Sequence, residues 1–361
     1  LTDLDQRIAS VLREHAEGEI DSHRLLSASR ARGRRRQLRR RAATGTALAL
    51  VGVLGFVGVT GPDLTGLPGR LPWTAATPPV AAPVPPRADG VPGAAADPAR
   101  IGMDPQVLHF GVDTGRARYL GWEVNAVVGV ETVRLDVAGG PVVTVEVARS
   151  AEVLKGTPVE FRPTPPGGRP GSFDGTVQRV ALEGTTERFG LVVWWSPGAG
   201  RYARASSSQG QDPAALTQAM AALRWDEARR CASPLRLGAL PAGAEIGWCS
   251  VDVASYPGLI TAQFTIRRGA DQSMWVSYRY ASQVAATRTE GNRTVGGRPA
   301  YLSPKGTTLE LLGLPRTRVV ADFGWPPEGN TRPGAFTEQD AGVLLAGARL
   351  AEDPTRPQTW P

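Results

Sequence analysis

The run Ala42 to Thr60, AATGTALALVGVLGFVGVT, holds nineteen residues without a charged side chain, and eight arginines lie between Arg30 and Arg41 just ahead of it. As a helix it is about 28 Å long at about 1.5 Å per residue, close to the hydrocarbon thickness of a bilayer. No acidic residue stands between Asp21 and Asp63. The excess of positive charge on one flank puts the N-terminus in the cytoplasm and everything after Gly61 outside. Two other readings compete. A cleaved signal peptide shares the basic-then-apolar order, but some forty residues come first and no A-x-A site follows closely. A buried core helix is the second, but this segment is flanked by an arginine cluster and by Gly61-Pro62.

The charge distribution bears on partners. Residues 1–41 carry eleven arginines against six acids, +5 of the chain's formal +7. A pI near 10.0 therefore does not signal a nucleic-acid-binding domain, which needs positive charge on a folded face. Here the charge sits where anionic lipid headgroups would meet it.

Ahead of the membrane run, Leu4, Ile8, Val11 and Leu12 recur at helical spacing behind Thr2 and Asp5, which resemble a capping box. An apolar stripe without a core needs a partner: another protein, a second helix or the inner membrane surface. Beyond the membrane run, residues 61–100 contain ten prolines among many alanines and glycines. That composition builds no core and reads as an extended, disordered spacer.

Laying residues 107–228 over 234–354 exposes an internal repeat. Leu108-His109-Phe110-Gly111 falls on Leu235-Arg236-Leu237-Gly238, and Leu120-Gly121-Trp122 falls on Ile246-Gly247-Trp248. Each copy continues in β-rich runs, Val133 to Val147 and Ile260 to Tyr280, then a Trp-rich strand and turn, then a helix. The first helix starts at Asp212-Pro213 with Leu216, Met220 and Leu223 on one face. The second starts near Thr337-Glu338 with Val343, Leu344, Gly347 and Leu350. A period this long means a duplicated domain rather than a solenoid. The expected fold is therefore α+β: a duplicated antiparallel β-sheet domain with one C-terminal helix per copy. The expected segments are a cytoplasmic helical part (1–41), a transmembrane helix (42–60), the spacer (61–100), two outer domains (101–229 and 230–354) and a tail (355–361).

Chemistry is sparse. His109 is the single histidine after the membrane run; with no second histidine or clustered cysteines there is no zinc pattern, and no G-x-S-x-G elbow accompanies it. It reads as an ordinary surface or strand histidine. No catalytic residue, cofactor or metal ligand is expected, and the acids Asp174, Glu183 and Glu187 form only a loose group. Trp122 and Trp248, and Trp195 and Trp325, occupy matching repeat positions and read as core aromatics. Trp194 and Trp275, on the opposite strand parity, are the candidate lining of a ligand cleft. Cys231 and Cys249 flank a turn at Pro241-Ala242-Gly243, so a disulfide is expected outside the membrane, with two free buried thiols as the other reading.

The amphipathic start, the run Arg32 to Arg36 with Arg39 to Arg41, the apolar helix, the Pro/Ala spacer and the β-rich outer part resemble a group of actinobacterial single-pass membrane proteins. Members are associated with extracytoplasmic-function sigma factors. The resemblance implies a cytoplasmic protein partner such as a sigma factor, although the H-x-x-x-C-x-x-C of zinc-binding anti-sigma domains is missing. The expected function is a membrane-anchored extracytoplasmic binding or sensing protein with an envelope ligand. The other reading is an envelope scaffold without a signalling role.

Overall fold

The computed structural model describes residues 81–156, 172–181, 189–208, 212–269, 271–283, 288–324 and 335–361. The stripe of Leu4, Ile8, Val11 and Leu12, the arginine run, the apolar run 42–60, the first half of the spacer and Trp325 lie outside the described residues. Among the described residues no helix is long and apolar enough to cross a membrane.

The described residues are mostly antiparallel sheet with few helices. Its first half forms β1 (Val107–Leu108), β2 (Gly111–Val112), β3 (Arg118–Asn125), β4 (Val130–Asp136), β5 (Val142–Ala148), α1 (Ala151–Gly156), β6 (Asp174–Ala181), β7 (Phe189–Gly198), β8 (Arg201–Ser207), α2 (Ala214–Ala222), β9 (Leu223–Arg224) and β10 (Arg229–Arg230). The second half forms β11 (Leu235–Leu237), β12 (Glu245–Asp252), β13 (Leu259–Arg268), β14 (Gln272–Ala281), β15 (Arg293–Val295), β16 (Arg298–Leu302), β17 (Thr308–Leu311), β18 (Thr317–Asp322), α3 (Glu338–Ala346) and β19 (Ala348–Leu350).

Thirteen of these strands make one sheet in the order β15-β16-β17-β18-β14-β13-β12-β3-β4-β5-β8-β7-β6. The outer regions expected as separate domains, 101–229 and 230–354, are thus joined edge to edge through the antiparallel pair β3–β12. Alternation makes the strands two-faced. In β13 the residues Ile260, Ala262, Phe264 and Ile266 are buried while their neighbours are only half-buried. The buried parity of every central strand feeds one continuous core, which runs from Val143 and Val145 through Trp122, Val124, Cys249 and Val251 to Met274 and Val319.

Both longer helices cover this core face. Helix α2 starts beside Asp212, whose Oδ1 accepts from Ala214 N–H at 2.8 Å, and it buries Ala215, Leu216, Ala219 and Ala222. Three of those four are alanines, which let the helix approach β5 and β8 closely. Helix α3 is capped reciprocally by Thr337 and Asp340, and it buries Ala341, Leu344 and Leu345. Val343, expected on the buried face, is 43% exposed, because about 100° per residue turns it away from Ala341.

Two further boundaries are corrected. The spacer expected to reach residue 100 has already joined the fold: Ala88 N–H donates to Ala228 O, Arg230 N–H to Pro86 O and Ala94 N–H to His109 O, with Ala88 and Ala94 buried. The expected tail is packed as well, with Trp360 against Trp122 at 6.3 Å and the Trp360 indole N–H bonded to Pro354 O.

Candidate functional site

Opposite the core face, the sheet presents a polar surface. Strand register arranges it in rows, because cross-strand neighbours of the same parity stand side by side. One row runs Asp252, Gly121, Arg134, Thr144, Ser206 across β12, β3, β4, β5 and β8. A second row runs Asn125, Trp248, Thr265, Trp275, Asp322 across β3, β12, β13, β14 and β18. Between them lies a third: Trp194, Arg204, Glu146, Thr132, Glu123, Ser250, Gln263, Ser277.

The first row is hollow. Gly121 adds no side chain, so the Arg134 side chain lies over it, its Nη2 donating to Asp252 Oδ2 at 2.7 Å and to Leu120 O at 3.3 Å. Beside this ion pair is a pocket of about 260 Å³ whose polar lining includes Arg134, Asp252, Thr144 and Ser206. The Ser206 side chain is 1% exposed and its Oγ has no partner among the described residues. A buried hydroxyl in that state calls for a partner from outside the protein.

The second row is filled. Trp248 and Trp275 meet over Thr265 with ring centroids 5.0 Å apart, and both are half-buried. In the middle row Glu123 faces Ser250. Burial raises its carboxyl pKa, opposed first by the Trp248 indole, then reinforced by the Glu146 charge, with Ser250 and Arg134 lowering it. The indole contact is electrostatic rather than a closed bond, since the buried Trp248 N–H makes no hydrogen bond of ordinary geometry.

At the far end of the middle row the polar face is roofed. Arg204 Nε and Nη2 fork onto Glu146 at 2.6 Å each, and Arg204 Nη1 donates to Leu154 O of α1 at 3.0 Å. Trp194 stacks over the guanidinium at 4.9 Å and packs against Phe173. Trp194 and Trp275 share the polar face, as their parity implied, but six strands separate β7 from β14, so they do not line one cleft. Trp194 is 7% exposed and is a packing residue; Trp275 remains accessible, with Trp248 as its neighbour. Trp122 and Trp248, matched in the repeat, lie on opposite faces, Trp122 in the core.

Cys231 and Cys249 are joined, with Cα atoms 6.5 Å apart. Cys231 follows β10 rather than lying in a strand beside β12, and its N–H donates to Gln106 O. The bridge therefore ties the junction of the two halves to the central strand β12. His109 departs from expectation: it is 2% exposed, with Nδ1 2.6 Å from Glu131 Oε1. The same carboxylate accepts from the backbone N–H of His109 at 2.6 Å and of Gly102 at 2.8 Å. The Glu131 carboxylate thus ties Gly102, before β1, and His109, after it, to β4, and the sealed imidazole offers no face to a substrate. Among the described residues no group of three or more His, Cys, Asp or Glu is gathered to hold a metal.

No family model, curated protein or solved structure matches the chain.

Proposed function

We propose that this chain is a single-pass membrane protein with its N-terminus in the cytoplasm, whose folded unit is an extracytoplasmic binding or sensing module. The observation that carries the reading is the Cys231–Cys249 bridge in a unit that follows an arginine-flanked apolar run of nineteen residues. Disulfides form and persist on the oxidising side of a membrane, the side on which the positive-inside rule leaves this unit.

The module arose by duplication of a sheet and one covering helix. Three features support this. From the central pair outward, β3-β4-β5-β8-β7-β6 is mirrored by β12-β13-β14-β18-β17-β16, and the second half adds β15. The ladder irregularity between Tyr119 and Gly121 recurs between Ile246 and Trp248. The β3–β12 register is reciprocal once Trp122 is matched with Cys249 and Glu123 with Ser250. That match is one residue off the sequence alignment, and a one-residue slip moves every side chain to the other face.

Signal passes to a cytoplasmic partner, such as a sigma factor, through the stripe of Leu4, Ile8, Val11 and Leu12. A reporter active only in the cytoplasm should be silent when fused after Pro361 and active when fused before Leu1. The opposite pattern overturns the topology, and with it the module. Leu4→Asp with Ile8→Asp should abolish partner capture by residues 1–41 while membrane insertion persists; unchanged capture removes the stripe as the contact.

A further inference from the structure

Gly121 makes the polar pocket possible, and the pocket's wall chemistry limits what can enter it. A Cβ at Gly121 would come within 2.7 Å of Val251 O and 3.4 Å of Arg134 Nε, so the absence of a side chain both admits the guanidinium and leaves the space. The charged lining is one guanidinium and one carboxylate already paired at 2.7 Å, so the site carries no net charge. The pair is solvent-facing, with Arg134 and Asp252 side chains 33% and 45% exposed. Only Nη2 of Arg134 is engaged, so Nε and Nη1 keep donors without a partner among the described residues. Asp252 Oδ1 accepts from Ala254 N–H, and the carboxylate retains further acceptor capacity.

A free carboxylate or ammonium would have to compete with the existing pair and leave one charge uncompensated. A neutral ligand with adjacent hydroxyls opposes no charge: each hydroxyl both donates and accepts, matching Asp252, Arg134 and the unpartnered Ser206 Oγ in turn. The indoles of Trp248 and Trp275 lie on the same face. Trp248 is four residues from Asp252 along β12, about 14 Å at about 3.4 Å per residue. That distance suits a short chain of rings rather than a single one, with one ring in the pocket and another against an indole, whose apolar face pairs with the C–H face of a sugar.

We infer that the polar face of the central sheet binds a neutral oligosaccharide, anchored at the Arg134–Asp252–Ser206 pocket and stacked on the Trp248–Trp275 pair. This inference rests on the binding-module reading and names its ligand class.

The test is saturation-transfer NMR on the full chain in lipid nanodiscs, with maltotriose, cellotriose and chitotriose as probes and glycine as a zwitterionic control. At least one trisaccharide should bind. Arg134→Gln and Trp275→Thr should each weaken it about tenfold or more, the loss expected for a hydrogen bond to a charged group or for a stacking contact. Ser206→Ala, which removes one buried oxygen, should weaken it severalfold and serves as the variant least able to disturb folding. A near-UV circular dichroism spectrum like the wild type's, with a cooperative thermal transition, certifies each variant as folded. Failure of all three trisaccharides to bind folded wild-type protein overturns the inference, as does binding unmoved by both Ser206→Ala and Arg134→Gln, or glycine binding in place of the saccharides. None of these outcomes bears on topology, which the reporter fusions decide separately.

Discussion

Under the proposed duplication, the two halves of the sheet solve the same position differently. Under the match of Glu123 with Ser250, the hollow row of Gly121, Arg134 and Thr144 corresponds to Trp248, Thr265 and Trp275. One half fills its polar face with stacked indoles, and the other leaves a pocket bridged by an ion pair. The middle row diverges too: Glu146 and Arg204 in the first half stand where the second has Ser277 and Val320. The backbone pairing thus does not depend on either solution. Side chains on this face are free to specialise, whereas the core parity is mostly apolar in both halves, with the buried Glu131 among its exceptions.

The largest effect should come from breaking the first half's ion pair on one side. Arg204 is 1% exposed, so Arg204→Ala takes the paired guanidinium away from the buried Glu146 carboxylate and should cost about 3–5 kcal/mol in denaturant unfolding. The double change Glu146→Ser with Arg204→Val installs the second half's residues and removes both charges together, so it should cost much less. Equal losses from the single and double variants would mean that the pair acts through packing on Trp194, not through charge.

Next in size is the disulfide. Cys231 and Cys249 are 18 residues apart, and closing such a loop stabilises by about 3 kcal/mol in the chain-entropy model. Replacing both by serine should lower the unfolding midpoint accordingly, and unreduced, folded protein should yield no alkylated thiol. Two freely alkylated thiols would undo both the bridge and the argument for an oxidising compartment. Smaller still, Trp275→Thr makes the filled row resemble the hollow one. Half-burial scales the usual large-to-small cost down to about 2 kcal/mol. A loss above that of Arg204→Ala would show that the indole pair is core rather than surface.

Much of this was legible in the sequence, and the failures have physical causes. The β-rich runs Val133 to Val147 and Ile260 to Tyr280 became β4–β5 and β13–β14, because period-2 burial is local. Asp212 and Thr337 marked their helices by cap chemistry, which is also local. Trp194 and Trp275 do share a face, but Trp248, expected on the opposite parity, shares it with Trp275. What escaped is set by tertiary pairing. The β3–β12 contact joins edges whose residues carry no signal for each other. The ladder irregularity after Tyr119 and Ile246 breaks the period-2 count, which is how Trp122 and Trp248 came to be matched across opposite faces. The pocket rests on Gly121, read as one member of a matching tripeptide; a missing side chain marks a hollow only once its neighbours are placed. Glu146 and Arg204 are 58 residues apart, beyond any spacing rule.

The finest difference between the halves sits at their junction, where Glu123 faces Ser250. Burial raises the Glu123 carboxyl above its ordinary 4.5, against the lowering influence of the nearby indole and of Arg134. An acid with a higher pKa folded than unfolded takes up a proton on folding. Its contribution to stability is therefore fully present below the unfolded pKa and is lost as pH rises through the folded one. Glu123→Gln keeps the shape without the charge, so it should leave stability nearly unchanged in acid and become progressively more stable than wild type as the pH rises. The group keeps some contact with solvent, so screening keeps the gain small. Unfolding midpoints of both proteins from about pH 4 to about pH 7 give the comparison directly. A difference that stays flat over that range would show that Glu123 titrates as freely as a surface acid. A difference that shrinks with rising pH would mean that Arg134 and Ser250 outweigh burial at the centre of the sheet.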